Sequence, residues 1–222
     1  KQATKFYAEI ALQSGSAFVN AIPEPIGREP QWRQAFSKVN LPLIGDDVKS
    51  QVGATIAHRS LVELLSQRGY VLDKTYQLNF GGNHDFLNMM SRDRLGEKKR
   101  SKAQSILDVA NRGTGMKQGS YHISPSDYIE FLGDQKIAFI RLQGYGFAGA
   151  PIEIELKLVV EDSPNSAGVI VDAVRYAKLA KDANQGGYLK YPSAWLMKAP
   201  AFPLNDSLAE NKTDEWVNSL YN

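Results

Sequence analysis

The chain has 222 residues, 43% of them hydrophobic and 23% charged, with a formal net charge of +2. That length can bury one large core or two modest ones, and so mild a charge gives no general affinity for nucleic acid or membrane surfaces. There is no cysteine, which excludes disulfides, thiolate metal sites and a cysteine nucleophile and permits a cytosolic location. No run reaches the ~18 apolar residues of a membrane span. No signal peptide is expected from the opening residues. The first residue is Lys1, so the chain is expected to begin inside a longer protein.

Tyr7 to Gln13 has helical spacing, and Ser16 to Asn20 is a short buried strand ending before Pro23 and Pro25. Gln31 to Lys38 is helical, and Leu41 to Gly45 is a second buried strand with Asp46 and Asp47 at its carboxyl end. Strand, helix and strand with short links form the βαβ unit of a parallel sheet. Lys49 to Arg68 is predicted as a helix with Val52, Ile56, Leu61, Leu64 and Leu65 on its apolar side and Gly69 as its stop. The apolar run Tyr76 to Phe80 ends in Gly81-Gly82-Asn83-His84-Asp85. Lys136 to Gln143 is strand-like, and Ile152 to Leu158 alternates strictly, as a half-exposed antiparallel strand does. Ser163 to Lys181 returns to helical spacing, with Val169, Ile170, Ala173, Val174 and Ala177 on one face and Ser163 as the N-cap. The order predicts an α/β part, an inserted antiparallel α+β part, and a return.

Gly144-Tyr145-Gly146-Phe147-Ala148-Gly149 fits the G-x-G-x-x-G pattern of dinucleotide sites. Such a site needs a helix after the glycines, whose free amides meet the pyrophosphate. Pro151 and an alternating strand follow instead, so these glycines read as a hairpin connection. Lys98 and Lys102 are four apart, neighbours on a helical face where like charges repel unless an anion lies between them. The same run, Lys98 to Lys102, also reads as a solvated helix face or a nucleic-acid patch, although it lacks the interleaved aromatics of a single-strand binder. Ser50 to Thr55 reads either as a capped helix start or as a phosphate site at one. His58, His84 and His122 have no metal-ligand spacing, and no metal site is expected.

Taken together, the motifs Gly45-Asp46-Asp47, Gly82-Asn83-His84-Asp85, Ser101-Lys102, Gly133-Asp134-Gln135-Lys136, Asp162-Ser163 and Leu196-Met197-Lys198-Ala199-Pro200 resemble the myo-inositol-phosphate synthase family, its bacterial branch most. The resemblance runs from Tyr7 to about Pro200. It implies the C-terminal part of a Rossmann-type NAD-binding domain (residues 1–49 and 163–222). Between these parts it implies an inserted α+β catalytic and oligomerisation domain of the glyceraldehyde-3-phosphate-dehydrogenase-like C-terminal type (50–162).

The family isomerises glucose 6-phosphate to an inositol phosphate by oxidation, enolisation, intramolecular aldol closure and reduction with bound NAD. By the resemblance Lys98, Lys136 and Lys198 are catalytic, and Ser50, Gln51, Gly53, Asn83, Asp85 and Lys102 bind the substrate. Asp47, Asp162 and Ser163 lie by the cofactor. A cytoplasmic homo-oligomer, a homotetramer, is implied, with neither nucleic acid nor membrane as partner. The family's N-terminal cofactor loop has no counterpart here, so the isolated chain is expected to be inactive. The alternative is a non-catalytic assembly module.

Overall fold

The computed structural model describes residues 2–90 and 119–221. The chain forms two compact units, Lys1–Gln51 with Ser166–Asn222, and Val52–Asn165. Lys98 and Lys102 lie outside the described residues.

The first unit is built on a parallel three-stranded sheet of β1 (Phe18–Asn20), β2 (Pro42–Gly45) and β7 (Gly187–Tyr188), with β2 in the centre. All four residues of β2 are buried, as a central parallel strand requires. Leu43 packs with Ala8 and Ala11 of α1 (Gln2–Gln13) and with Trp32 and Phe36 of α2 (Pro30–Lys38). Ile44 packs on the other side, against Val169, Ala173, Ala177 and Ala180 of α5 (Asp162–Asp182) and Leu196 of α6 (Lys190–Leu196). Helices therefore cover both faces of the sheet. The last helix, α7 (Asp206–Ser219), is capped by Asn205, whose side chain accepts from Leu208 N at 2.7 Å.

The second unit has a four-stranded mixed sheet in the order β4 (Tyr121–Tyr128), β3 (Val71–Gly81), β5 (Gln135–Tyr145) and β6 (Pro151–Glu161). Pair β3–β4 is parallel, and β3–β5 and β5–β6 are antiparallel. A short helix, α4 (His84–Met90), follows β3. The alternating residues Ile152, Ile154, Leu156 and Leu158 turn inward and join Ala138, Ile140 and Leu142 against Val62 and Leu65 of α3 (Ala54–Gln67). Phe139, Arg141, Glu153, Glu155, Lys157 and Val159 are left on the opposite face.

Three expectations need correction. The helix expected from Lys49 begins at Ala54, with Gly53 as an extended N-cap at φ −112°, ψ 159°. Residues before it are held extended: Val48 pairs with Met197, and Lys49 N donates to Leu196 O at 2.9 Å. Consequently the buried stripe of α3 is Ala54, His58, Val62 and Leu65, while Val52 and Leu64 are exposed. On α5, Val174 is likewise exposed and Ala180 takes its place in the core. Ser163 is not the N-cap of α5, since the helix already includes Asp162.

Of the glycines in the G-x-G-x-x-G stretch, Gly144 lies near the end of β5, and Gly146 and Gly149 lie in the β5–β6 connection. A Cβ at Gly144 would stand 2.3 Å from Val71 O, so the close approach of β3 demands glycine there. Gly144→Ala is expected to destabilise the ligand-free chain by about 1–3 kcal/mol in chemical denaturation. An unchanged midpoint would mean that the strands do not meet so closely.

Candidate active site

In the second unit the antiparallel register brings the end of β3, the start of β5 and the end of β6 to one edge of the sheet, with Gly81 opposite Lys136 and Lys136 opposite Val160. Polar residues gather there. Asn83 Nδ2 donates to Asp134 Oδ1 at 3.2 Å and to Asp162 Oδ2 at 3.3 Å. Lys136 Nζ lies 3.5 Å from Asp162 Oδ1, both side chains half-buried. Asp134 also accepts from Ser163 Oγ at 2.7 Å and from Ser163 N at 2.8 Å, while its carbonyl accepts from Asp162 N at 3.0 Å. Asp134 thus binds a free amide at the start of α5, the work expected of Ser163, and Ser163 becomes its donor.

Local sequence explains how Asn83 arrives. A Cβ at Gly82 would lie 2.6 Å from both Gly133 N and Ile129 O, so only glycine lets the 129–133 turn close over the end of β3. Asn83 Oδ1 then accepts from Phe86 N at 2.9 Å, opening α4 and sending Phe86 into the core. Asp85 stands on the exposed first turn of α4 and takes no part in these bonds.

Burial works to raise the Asp134 carboxyl, but the hydrogen bonds from Ser163 and Asn83 outweigh it and hold its pKa below the ordinary carboxylate value. In the sequence Asp134 stands only as a member of the motif Gly133-Asp134-Gln135-Lys136 and has no role of its own, because its partners come from distant segments.

The first unit carries a second group. Asp47, at φ 65°, has its carboxylate 3.6 Å from Lys198 Nζ, and its carbonyl accepts from Lys198 N at 2.6 Å. Beside it Asp46 is fully buried. Its carboxylate accepts from Asn20 Nδ2 at 2.7 Å, Gly27 N at 2.8 Å and Arg28 N at 3.1 Å. Asp46 N and O pair with Ala199 O and N, which fixes the segment carrying Lys198. Sequence reasoning named Asp47 and Lys198 but missed Asp46, whose role appears only when the 26–28 loop folds over it.

Ser50 and Gln51 lie in an irregular segment before α3, and Gly53 caps that helix, so the helix start expected near Ser50 is corrected to Gly53–Ala54. Among the described residues no group of three or more His, Asp or Glu is placed to hold a metal. The G-x-G-x-x-G stretch does not fit the pyrophosphate of a dinucleotide: it leads into a short 3₁₀ turn and then β6, with no helix directly after it whose amides could receive one.

The model of the family described as myo-inositol-1-phosphate synthase matches residues 53–163, which carry the Asn83–Asp134–Lys136–Asp162 cluster. The chain belongs to this family. It is 49% identical over 217 residues to an inositol-3-phosphate synthase of Mycobacterium tuberculosis, covering 98% of this chain and 59% of that protein. A Corynebacterium glutamicum inositol-3-phosphate synthase is 46% identical over 220 residues, 98% of this chain and 61% of that protein. Among solved structures, a myo-inositol-1-phosphate synthase-related protein from Thermotoga maritima superposes with a TM-score of 0.82 at 30% identity, over 97% of this chain and 57% of that one. The chain spans about three-fifths of the length of the curated relatives it matches.

The low-lying Asp134 carboxyl has a stability consequence. Its folded pKa is depressed, so its contribution is present above the unfolded value near 3.8 and is lost as pH falls through the folded value. Asp134→Ala is expected to flatten that acid limb and to speed amide exchange at Ser163. Unchanged exchange at Ser163 would contradict the bond.

Proposed function

We propose that this chain is the catalytic part of an inositol-phosphate synthase, which isomerises glucose 6-phosphate to an inositol phosphate. The carrying observation is the cluster at the sheet edge, where Lys136 stands beside Asp162 while one amide, Asn83, bridges Asp162 to Asp134. Enolisation and aldol closure build negative charge on oxygen, and a half-buried, fixed ammonium suits that charge better than solvent does. Lys136 is proposed to stabilise the developing oxyanion, Asp162 to hold Lys136, and Asn83 to orient substrate hydroxyls. Lys198, held by Asp47, is proposed as a second such cation, and Lys98 as a third. Asp85 and Lys102, with the segment of Ser50, Gln51 and Gly53, are proposed for substrate contact. Asp47, Asp162 and Ser163 are proposed to lie beside the family's cofactor, NAD, which supplies hydride acceptance and return when bound. In this reading the first unit is the closing part of a Rossmann-type domain and the second a glyceraldehyde-3-phosphate-dehydrogenase-like C-terminal-type domain.

Self-association belongs to the same proposal. The sheet face away from α3 leaves Phe139 and Val159 exposed beside Phe80, with Arg141 paired to Glu153 at 2.6 Å on its polar side. No helix among the described residues is long and apolar enough to cross a membrane. A second copy of the chain is the proposed cover for this face.

In the full-length protein, phosphorus NMR should detect conversion of glucose 6-phosphate to an inositol phosphate with NAD present. Lys136→Ala should reduce turnover by about 10²-fold or more, the scale of losing a fixed oxyanion donor. Near-normal turnover would reject the assignment of Lys136. The isolated chain should gain little thermal stability from NAD, and a large gain would reveal a pyrophosphate site of its own. Light scattering should find the chain self-associated, and a strict monomer at high concentration would count against the proposed cover.

A further inference from the structure

The face of β3 that meets α3 is polar. Thr75, Gln77 and Asn79 are buried there, and α3 sets His58 among them with no exposed surface at all. The contacts form one chain. Thr75 Oγ1 donates to Arg141 O at 2.7 Å, and His58 Nε2 meets Thr75 Oγ1 at 2.7 Å. On the other side of the ring His58 Nδ1 meets Gln77 Oε1 at 3.3 Å. Gln77 Nε2 donates to Asn79 Oδ1 at 3.0 Å, and Asn79 Nδ2 donates to Ser124 O at 2.8 Å.

Counting protons along this chain gives a definite result. Both ends, Arg141 O and Ser124 O, can only accept. Some group between them must therefore donate in both directions. A threonine hydroxyl has one proton, and Gln77 and Asn79 each meet their two neighbours through opposite ends of the amide, donating at one and accepting at the other. Of the groups so placed, only a doubly protonated imidazole donates from both sides. With His58 neutral, one contact in the chain sets two acceptors face to face, and turning either amide over only moves the mismatch along the chain. Repulsion between acceptors lengthens a contact, and His58–Gln77 is the longest of the five.

We propose that His58 is a proton-linked positioning residue for the end of β3: its hydrogen-bond chain is open at Gln77 while the imidazole is neutral and closes when the ring gains a second proton. The position is well placed for such a role. The register of β3 against β4 shifts between Asn79 and Phe80, and Asn83 of the sheet-edge cluster follows four residues after Asn79. Asn79 N is held in addition by Ser126 Oγ at 3.1 Å.

Burial is the main influence on the ring and lowers its pKa to about 4, with the Gln77 contact opposing it. Among the described residues no charge enters that balance: β3 presents Thr75, Gln77 and Asn79, and β5 and β4 contribute apolar Ala138, Ile140, Leu142 and Ile123 to the same core. Arg59 and Glu63, the other titratable groups on α3, are only partly buried, and Tyr70 packs on the apolar core. The folded pKa lies below the unfolded 6.5, so the fold favours neutral His58, and its share of stability is lost as pH falls from about 6.5 toward 4.

Nitrogen-15 NMR of the 222-residue chain tests the inference. At pH 7.5 His58 should be neutral with its proton on Nε2 and a bare Nδ1, and a proton on Nδ1 overturns the proposal. On acidification the side-chain amides of Gln77, Asn79 and Asn83 should shift with the same midpoint as His58. Amides of Asn79 and Asn83 that stay still while His58 titrates also overturn it. His58→Gln removes the titrating ring, so the shared midpoint should vanish from the Asn79 amide. If it persists in that variant, His58 is not its source. Should the variant fail to fold, or the chain unfold on acidification, the form of the ring at pH 7.5 still decides.

Discussion

The Asp134 carboxylate joins three segments that are distant in sequence. It receives Ser163 N and Oγ from the first turn of α5 and Asn83 Nδ2 from the end of β3, while sitting one residue before β5. All three donors are neutral polar groups, so among the described residues the carboxylate is held without a lysine or arginine of its own. Lys136 is thereby left to Asp162. The arrangement places one cation and two carboxylates around a single amide at a sheet edge, which a set of surface ion pairs would not hold in place. The antiparallel register of β3, β5 and β6 is what brings the three strand ends together.

Much of the fold was legible because it follows from periodicity. The strict alternation from Ile152 to Leu158 gave β6 and its buried face, and the apolar run at Leu41 to Gly45 gave the central parallel strand. Decisions made by distant chain were not legible. The segment from Val48 to Gln51 has helix-compatible residues, but pairing of Val48 with Met197 keeps it extended and moves the start of α3 to Ala54. The strand β7, the helices α6 and α7, and β4 carried no periodic signal strong enough to name. In the candidate site, motif residues such as Asn83, Lys136 and Asp162 could be read from the sequence. Asp134 and Asp46 needed tertiary contacts to declare their roles.

Strand β3 shows why a hydrophobic run can mislead. Tyr76, Leu78 and Phe80 alternate with Thr75, Gln77 and Asn79, and the usual expectation puts the apolar set inside. The opposite occurs: the polar set is buried against α3, and its hydrogen-bonding groups are met by His58, Arg141 O and Ser124 O. Such a layer costs desolvation and is tolerated only when its partners are supplied. In return the apolar set lies on the open face of the sheet, where Phe80 and Phe139 meet edge to face. One inversion thus accounts both for a buried polar chain and for an apolar outer surface.

The central claim is that Asp134 and Lys136 act as parts of one cluster, the first by ordering Asn83 and Ser163 around the second. A double-mutant cycle on turnover in the full-length protein tests this directly, with Asp134→Ala, Lys136→Ala and the pair. Strong non-additivity is expected: once Lys136 is gone, removing Asp134 should cost far less than it does in the otherwise intact protein. Two losses that simply multiply would contradict it and would reduce Asp134 to a local cap of α5.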